Sequence, residues 1–282
     1  MIKTLNLINC KKRLITKIVN IICVMLFLFL TIIFNQFFSE LFMLKPSLSE
    51  INDASLEVHF INVGHGDAIA IKFPNNETML IDGGYEEENK NLFNYLNKVF
   101  FRNIEKEFTY VVATHSDADH IGNTLKVLEN YNVKNFLRPR IYAKYAEPNY
   151  GYGYLDDSKV YETLIKKVIE LEQQNKINNV FLNSNNKFVL GENCILKCLS
   201  PIAETNLANN ENDFSAVLRL ECGNFSFMFM ADVSSEMENF LRVQTNENLK
   251  CDVLKVAHHG SKNSTNAEFL NATMPQNIVV SS

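Results

Sequence analysis

The segment His115-Ser116-Asp117-Ala118-Asp119-His120 places four side chains able to ligate a metal within six residues. It follows the strongly apolar run FTYVVAT and precedes the helical pattern IGNTLKVLENY. Four such groups cannot share one face of a strand or of a helix, but on a strand-to-helix turn they can converge on two ions. An aspartate capping the helix would explain one acid. It would not explain two flanking histidines in a chain that has only six. The pair His258-His259 follows another buried-strand pattern, CDVLKVA, and leads into Gly260-Ser261. One of the pair can be a ligand while the other packs or contacts substrate. Asp82 ends the apolar run TMLI, and Asp232 ends FSFMFMA. Either acid alone reads as a turn-starting aspartate. Together they matter, because acids at the carboxyl ends of buried strands gather at one edge of a sheet, where sites are commonly assembled. His59 alternates with apolar neighbours and reads as structural. His65 lies in a Gly-His-Gly turn whose glycines let the backbone bend closely.

Strands and helices must position these groups. LEVHFINV alternates apolar and polar residues, AIAIKF and TMLIDGG follow as strands, and PNNE between them is a turn. VFLN, KFVL, CILKCLS, SAVLRLEC and FSFMFMA are further strands. Residues 89–101 and SSEMENFLRVQ have helical spacing, and SKVYETLIKKVIELEQ is the clearest amphipathic helix. Residues 143–157 are a Tyr- and Gly-rich loop. Strands in groups with helices between them indicate an α/β or α+β class with helices packed on sheets. None of the six cysteines forms a CxxC pair, which argues against a zinc ribbon. They read as small buried hydrophobes rather than disulfides.

The first fifty residues hold six of the 27 basic and two of the 32 acidic side chains, leaving 21 against 30 and a net of −9 beyond them. Such a domain has no broad basic footprint for nucleic acid. Bound divalent metals invert the charge of a site locally, so a nucleic-acid substrate stays compatible with this balance. Residues 18–34, IVNIICVMLFLFLTIIF, contain no charge, and Lys11, Lys12, Arg13 and Lys17 precede them. The expected organisation is a cytoplasmic basic segment (1–17), a transmembrane anchor (18–38), a linker (39–55) and a domain (56–282) outside the cytoplasm. A cleaved signal peptide is the rival, but its apolar core would be unusually long and no A-x-A-like site follows.

HSDADH resembles the HxHxDH signature of the metallo-β-lactamase superfamily, with Asp117 where the middle histidine often stands. In order, INVGHGDAIAI, LIDGG, THSDADHIG, NDFSAVLRL, FMFMADV and DVLKVAHHGSKNS resemble the soluble hydrolase domain of the DNA-uptake protein ComEC and its stand-alone relatives. The resemblance covers residues 56–282 and implies an α+β fold, an αββα sandwich. In that fold a helix and further strands follow the HHGS segment. Only residues 262–282 remain here, which implies a sandwich truncated at its C-terminus.

By position, the resemblance implies that His115 and Asp117 hold one divalent ion and that Asp119, His120 and His258 hold a second. Asp232 would bridge them, with Asp82 and Asp67 behind the ligands orienting them. Asp119 would accept the proton of the attacking water. Asn212, Ser215, His259 and Ser261 would contact substrate. Three departures stand out: His65 replaces the usual Gln, Ala231 replaces the usual Gly before the bridging aspartate, and Asn212, Asp213 and Ser215 occupy the region of the absent third histidine. The two ions are expected to be zinc or manganese, and the carboxylate-rich set leans towards manganese.

The implied activity is metal-dependent hydrolysis, a phosphodiesterase or nuclease linked to DNA uptake or processing. The alternatives are a lactone, thioester or β-lactam hydrolase, or an inactive surface module of the same fold. The absent histidine disfavours a β-lactamase, and six intact ligand positions disfavour the inactive module. The expected partners are a nucleic acid or other phosphodiester substrate and the membrane; no protein partner is deducible. Protease added to intact cells should digest the domain. Full protection would contradict the orientation, and a mature chain beginning near Glu40 would contradict the anchor.

Overall fold

Short strands carrying apolar residues on both faces force the chain into layers. In β2 (Ile69–Lys72) and β3 (Thr78–Ile81), Ile69, Ile71, Met79 and Ile81 point to one face and Ala70 and Leu80 to the other. All six are buried. With β1 (Glu57–Phe60), β4 (Glu107–Val112), β5 (Asn132–Pro139) and β8 (Asn178–Leu182) they form one sheet in the order β1-β2-β3-β4-β5-β8. Its β1–β2 and β2–β3 pairs are antiparallel and the rest parallel. The second sheet runs β14-β13-β12-β11-β10-β9. Its strands are β9 (Lys187–Val189), β10 (Cys194–Ser200), β11 (Val217–Cys222), β12 (Phe225–Phe229), β13 (Val253–Lys255) and β14 (Asn277–Val279). Here β12–β13 and β13–β14 are parallel. This computed structural model describes residues 55–147, 153–191, 193–202, 211–244 and 248–281.

Three apolar cores separate four layers. Between the sheets, Ile71, Met79 and Val112 meet Leu196, Leu218 and Phe229. Outside the first sheet, Leu80, Val111 and Phe136 meet Leu92 of α1 (Asn89–Tyr95), Val127 of α3 (Thr124–Asn130) and Ile165 and Val168 of α4 (Lys159–Gln173). A short α2 (Ala118–Ile121) precedes α3. Outside the second sheet, Val217, Met228 and Leu254 meet Leu241 of α5 (Ser235–Gln244) and Phe269 of α6 (Ala267–Thr273). The fold is therefore mixed α and β, with helices on the outer faces of two packed sheets. Ser158 caps α4 by accepting from Tyr161 N, as its position before the amphipathic run predicts.

Several elements were not legible. NVKNFLRP is β5, although it carries a charge at Arg138. That guanidinium is fully buried. It donates to the Ile141 carbonyl at 2.7 Å, pairs with Glu147 and lies 4.4 Å over the Phe181 ring. The Tyr- and Gly-rich loop contains a parallel pair, β6 (Ile141–Ala143) with β7 (Tyr154–Asp156). Beyond His259 the chain forms α6, capped by Asn266, and then β14. Cys194 and Cys222 are not separate buried hydrophobes. The antiparallel register of β10 and β11 sets them opposite each other with Cα atoms 4.0 Å apart, and they are joined as a disulfide. Cys198 and Cys251 are free and buried.

The expected segments 1–17, 18–38 and 39–55 lie outside the described residues, apart from Ser55. Among the described residues no helix is long and apolar enough to cross a membrane.

Candidate metal centre

Strand ends from both sheets deliver the site. Asp82 follows β3, His115 follows β4, Asp232 follows β12, and His258 and His259 follow β13. Asp82, Ala231, His258 and His259 have φ of 59°, 48°, 47° and 53°. The left-handed region costs a non-glycine residue about 1–2 kcal/mol, so these turns are maintained against strain. Ala231 explains itself here: at φ 48° a glycine would be unstrained, which fits the usual glycine at that place. Gly66, at φ 117°, is close to obligatory, because a Cβ there would lie 2.1 Å from the Asp119 carbonyl oxygen.

Asp117 occupies the cap position of α2, and its side chain makes no capping hydrogen bond. The carboxylate is left to face His115, with Oδ2 3.6 Å from His115 Nε2. The next turn carries Asp119 and His120 into a tight cluster with Asp232 and His259. His120 Nε2 lies 3.1 Å from Asp232 Oδ1 and 3.3 Å from His259 Nε2. His259 Nε2 lies 3.2 Å from Asp119 Oδ2 and 3.3 Å from Asp232 Oδ2. Behind them, Asp82 Oδ2 accepts from His120 Nδ1 at 2.8 Å, and Asp67 Oδ1 stands 3.5 Å from His259 Nδ1.

His259, rather than His258, lies within this cluster. His259, expected to contact substrate, is the buried member of the cluster. His258, expected to ligate, has a 43% exposed side chain with Nε2 3.8 Å from Asp232. Both residues are left-handed, so the strand's alternation ends before them and the turn sends the second ring inward.

The remaining residues spread around the cluster. The turn Asn212–Phe214 lies along the end of β4, where Ala216 N donates to the Thr114 carbonyl at 2.8 Å. Ser215 Oγ and Asn212 Oδ1 are buried there without hydrogen-bond partners. Asp213 Oδ1 accepts from Ser234 N and Oγ, so that oxygen is committed to the turn after Asp232. Ser261 Oγ accepts from Asn263 N at 3.4 Å, a local turn contact.

Two residues at the opening had no assigned role. His65 has a 60% exposed side chain, packs its ring at 50° to that of His259 with centroids 4.4 Å apart, and sits 3.5 Å from Asp119 Oδ2. Tyr154 donates to Glu211 Oε2 at 3.0 Å; burial, with Glu211 and Asp117 nearby, raises its hydroxyl pKa. Position between two glycines was the signal for His65; Tyr154 had none, because β7 was read as loop.

A divalent cation fits this donor set. Imidazole and carboxylate atoms converge from Asp119, His120, Asp232 and His259. His115 Nε2 is buried and has no hydrogen-bond partner, as an atom reserved for an ion would be. Burial alone would lower the His120 pKa, yet Asp82 and Asp232 hold it well above the ordinary histidine range. Burial opposes the charge of His259 too, but Asp119, Asp232 and Asp67 raise it to about 11. Burial would raise Asp232 and Asp119; instead the neighbouring imidazoles hold both below the usual carboxylate range. Protons thus occupy the nitrogens that an ion would take.

Two outcomes follow from this geometry. His259→Ala should weaken metal binding by more than the roughly 10- to 100-fold that loss of an outer partner costs, while His258→Ala leaves most of the affinity. Calorimetric titration would show the opposite ranking if the pair were assigned wrongly. Because His259 retains its proton up to about 11, an ion binding at neutral pH must displace it. Affinity should therefore rise with pH, and calorimetry in buffers of different ionisation enthalpy should register proton release. A binding constant flat between pH 6 and 8 would contradict this.

Several known proteins are similar to this chain. ComE operon protein 3 of Bacillus subtilis (strain 168) is 29% identical over 238 residues, covering 80% of this chain and 28% of that protein. Competence protein ComA of Neisseria gonorrhoeae is 36% identical over 73 residues, 26% of this chain and 11% of that one. The chain thus spans less than a third of the length of either relative. Among solved structures, the metallo-beta-lactamase fold protein YhfI from Bacillus subtilis aligns over 69% of this chain and 68% of its own, with 12% identity and a TM-score of 0.40. Residues 61–181 match the family model of the metallo-beta-lactamase superfamily. Over residues 61–181 this chain is therefore similar to the metallo-beta-lactamase superfamily, and its likeness to ComE operon protein 3 extends beyond that segment.

Proposed function

We propose that the chain is a metal-dependent phosphodiesterase acting on nucleic acid, in DNA uptake or processing. The observation that carries this reading is the meeting of two ligand groups at Asp232. Asp119, His120 and His259 converge on it from one side, and on the other His115, beside Asp117, sets its ring 4.2 Å from that of His120. When bound, divalent ions supply activation of water near neutral pH and neutralisation of a phosphoryl group. Asp119 is placed to accept the proton of the attacking water, with Oδ2 directed at the cluster beside His259. Asp82 and Asp67 hold the two imidazoles with Nε2 inward. His65 and His258, exposed beside the cluster, can donate hydrogen bonds to phosphoryl oxygens.

The competence relatives support nucleic acid as substrate. An acidic domain needs locally bound cations to admit such a polyanion, which agrees with the metal reading. We further propose a single-pass anchor at residues 18–38 with the hydrolase outside the cytoplasm, on the charge bias before Ile18. The metal favoured is manganese, because carboxylates outnumber imidazoles at the Asp117 end.

The purified chain should be given single-stranded DNA, RNA, bis-p-nitrophenyl phosphate and nitrocefin, with manganese or zinc. Phosphodiester hydrolysis is expected, faster with manganese. Asp119→Asn should lower kcat by about 100-fold or more, the range of a lost proton acceptor. Nitrocefin turnover with inert phosphodiesters would sink the reading.

A further inference from the structure

Behind the metal centre lies a buried lysine that the chemistry above leaves unused. Lys255, at the end of the apolar β13, is 1% exposed. Burying an ammonium is unfavourable unless it is paired, so its presence there needs a reason. Its Nζ donates to the Val256 carbonyl at 3.0 Å and to Asp67 Oδ2 at 2.8 Å. Asp67 is itself 3% exposed. Its other oxygen, Oδ1, faces His259 Nδ1 at 3.5 Å and accepts the Ser281 hydroxyl, whose oxygen lies 3.3 Å from the same Nδ1. The contacts therefore run from Lys255 through Asp67 to His259, whose Nε2 faces Asp119 and Asp232.

The other imidazole of the cluster makes a useful contrast. His120 also presents Nδ1 to a carboxylate, Asp82, at 2.8 Å. Asp82 is held by uncharged donors, the Thr114 amide at 2.8 Å and hydroxyl at 2.7 Å. Only the Asp67 arm is held by a cation. That arm also borders open space: a cavity of about 280 Å³ is lined by Asp67, Lys255, Val280 and Ser281. A carboxylate beside such a cavity has somewhere else to turn, so something must pin it.

We propose that Lys255 is a positioning residue for the metal centre. It fixes Asp67 Oδ2, which turns Oδ1 to His259 Nδ1 and leaves His259 Nε2 directed at the ion. This rests on His259 being a metal ligand. Lys255 touches neither ion nor substrate, and its effect passes through Asp67 alone.

The test is a double-mutant cycle on the full chain, with manganese binding measured by calorimetry. Lys255→Met and Asp67→Asn should each weaken binding roughly 10- to 100-fold, the usual effect of losing an outer partner. The double variant should bind no more weakly than Asp67→Asn alone. Losses that simply multiply would overturn the proposal, as would a lowered Tm with unchanged manganese affinity. Should Lys255→Met fail to fold, Lys255→Gln, which keeps a shorter donor, enters the same cycle. In zinc-loaded protein the His259 Nδ1 proton should exchange slowly, and faster in the Lys255 variant; equal exchange counts against the proposal. Wild-type chain that binds no metal sinks the metal reading and this inference with it. Binding lost in His259→Ala yet unchanged in Lys255→Met sinks this inference alone.

Discussion

The Asp82 carboxylate ties three pieces of chain together. It accepts from the Thr114 amide and hydroxyl and from His120 Nδ1, so the ends of β3 and β4 and the start of α2 are fixed relative to one another. Asp82 itself is left-handed, and the glycines after it let the chain leave against Val63 and Thr124. Without this tie the HSDADH turn would have no fixed direction, and four ligand-type side chains would face solvent separately. The second sheet contributes Asp232 and His259 to a geometry that the first sheet already defines.

Charge explains why the cluster is stable as folded. Asp67, Asp119 and Asp232 crowd against His120 and His259 in a largely buried space. Like-charged carboxylates that close would repel strongly. The imidazoles, holding protons well above their ordinary range, relieve that repulsion, and Lys255 relieves it at Asp67. An ion replaces the protons while conserving the balance. The left-handed turns at His258 and His259 coincide with the approach of both rings to Asp232, at 3.8 and 3.3 Å.

Much of this was legible in the residues. A ligand-rich turn after an apolar strand, and aspartates ending two others, indicated where the strands converge. Those signals are local and survive without knowing strand order. What was hidden depends on geometry that spacing does not encode. The order of His258 and His259 turns on two successive left-handed residues, which break the alternation used to read faces. Arg138 masked β5, because a charge in a strand pattern looks like exposure until Glu147 and Phe181 are seen to enclose it. Lys255 was hidden likewise. The Cys194–Cys222 pairing required the register of β10 on β11, a long-range fact.

That cross-strand bond also bears on where the chain can fold well. Disulfides persist in oxidising compartments and are reduced in the cytosol. A bridge closing a 28-residue separation stabilises by about 3–4 kcal/mol on chain-entropy grounds. A domain of ordinary stability has about 5–15 kcal/mol in total, so this is a substantial share. The same polypeptide would then have one stability in a reducing compartment and a larger one in an oxidising compartment. Material produced in a reducing cytoplasm would be the weaker of the two, with Cys194, Cys198, Cys222 and Cys251 all present as thiols.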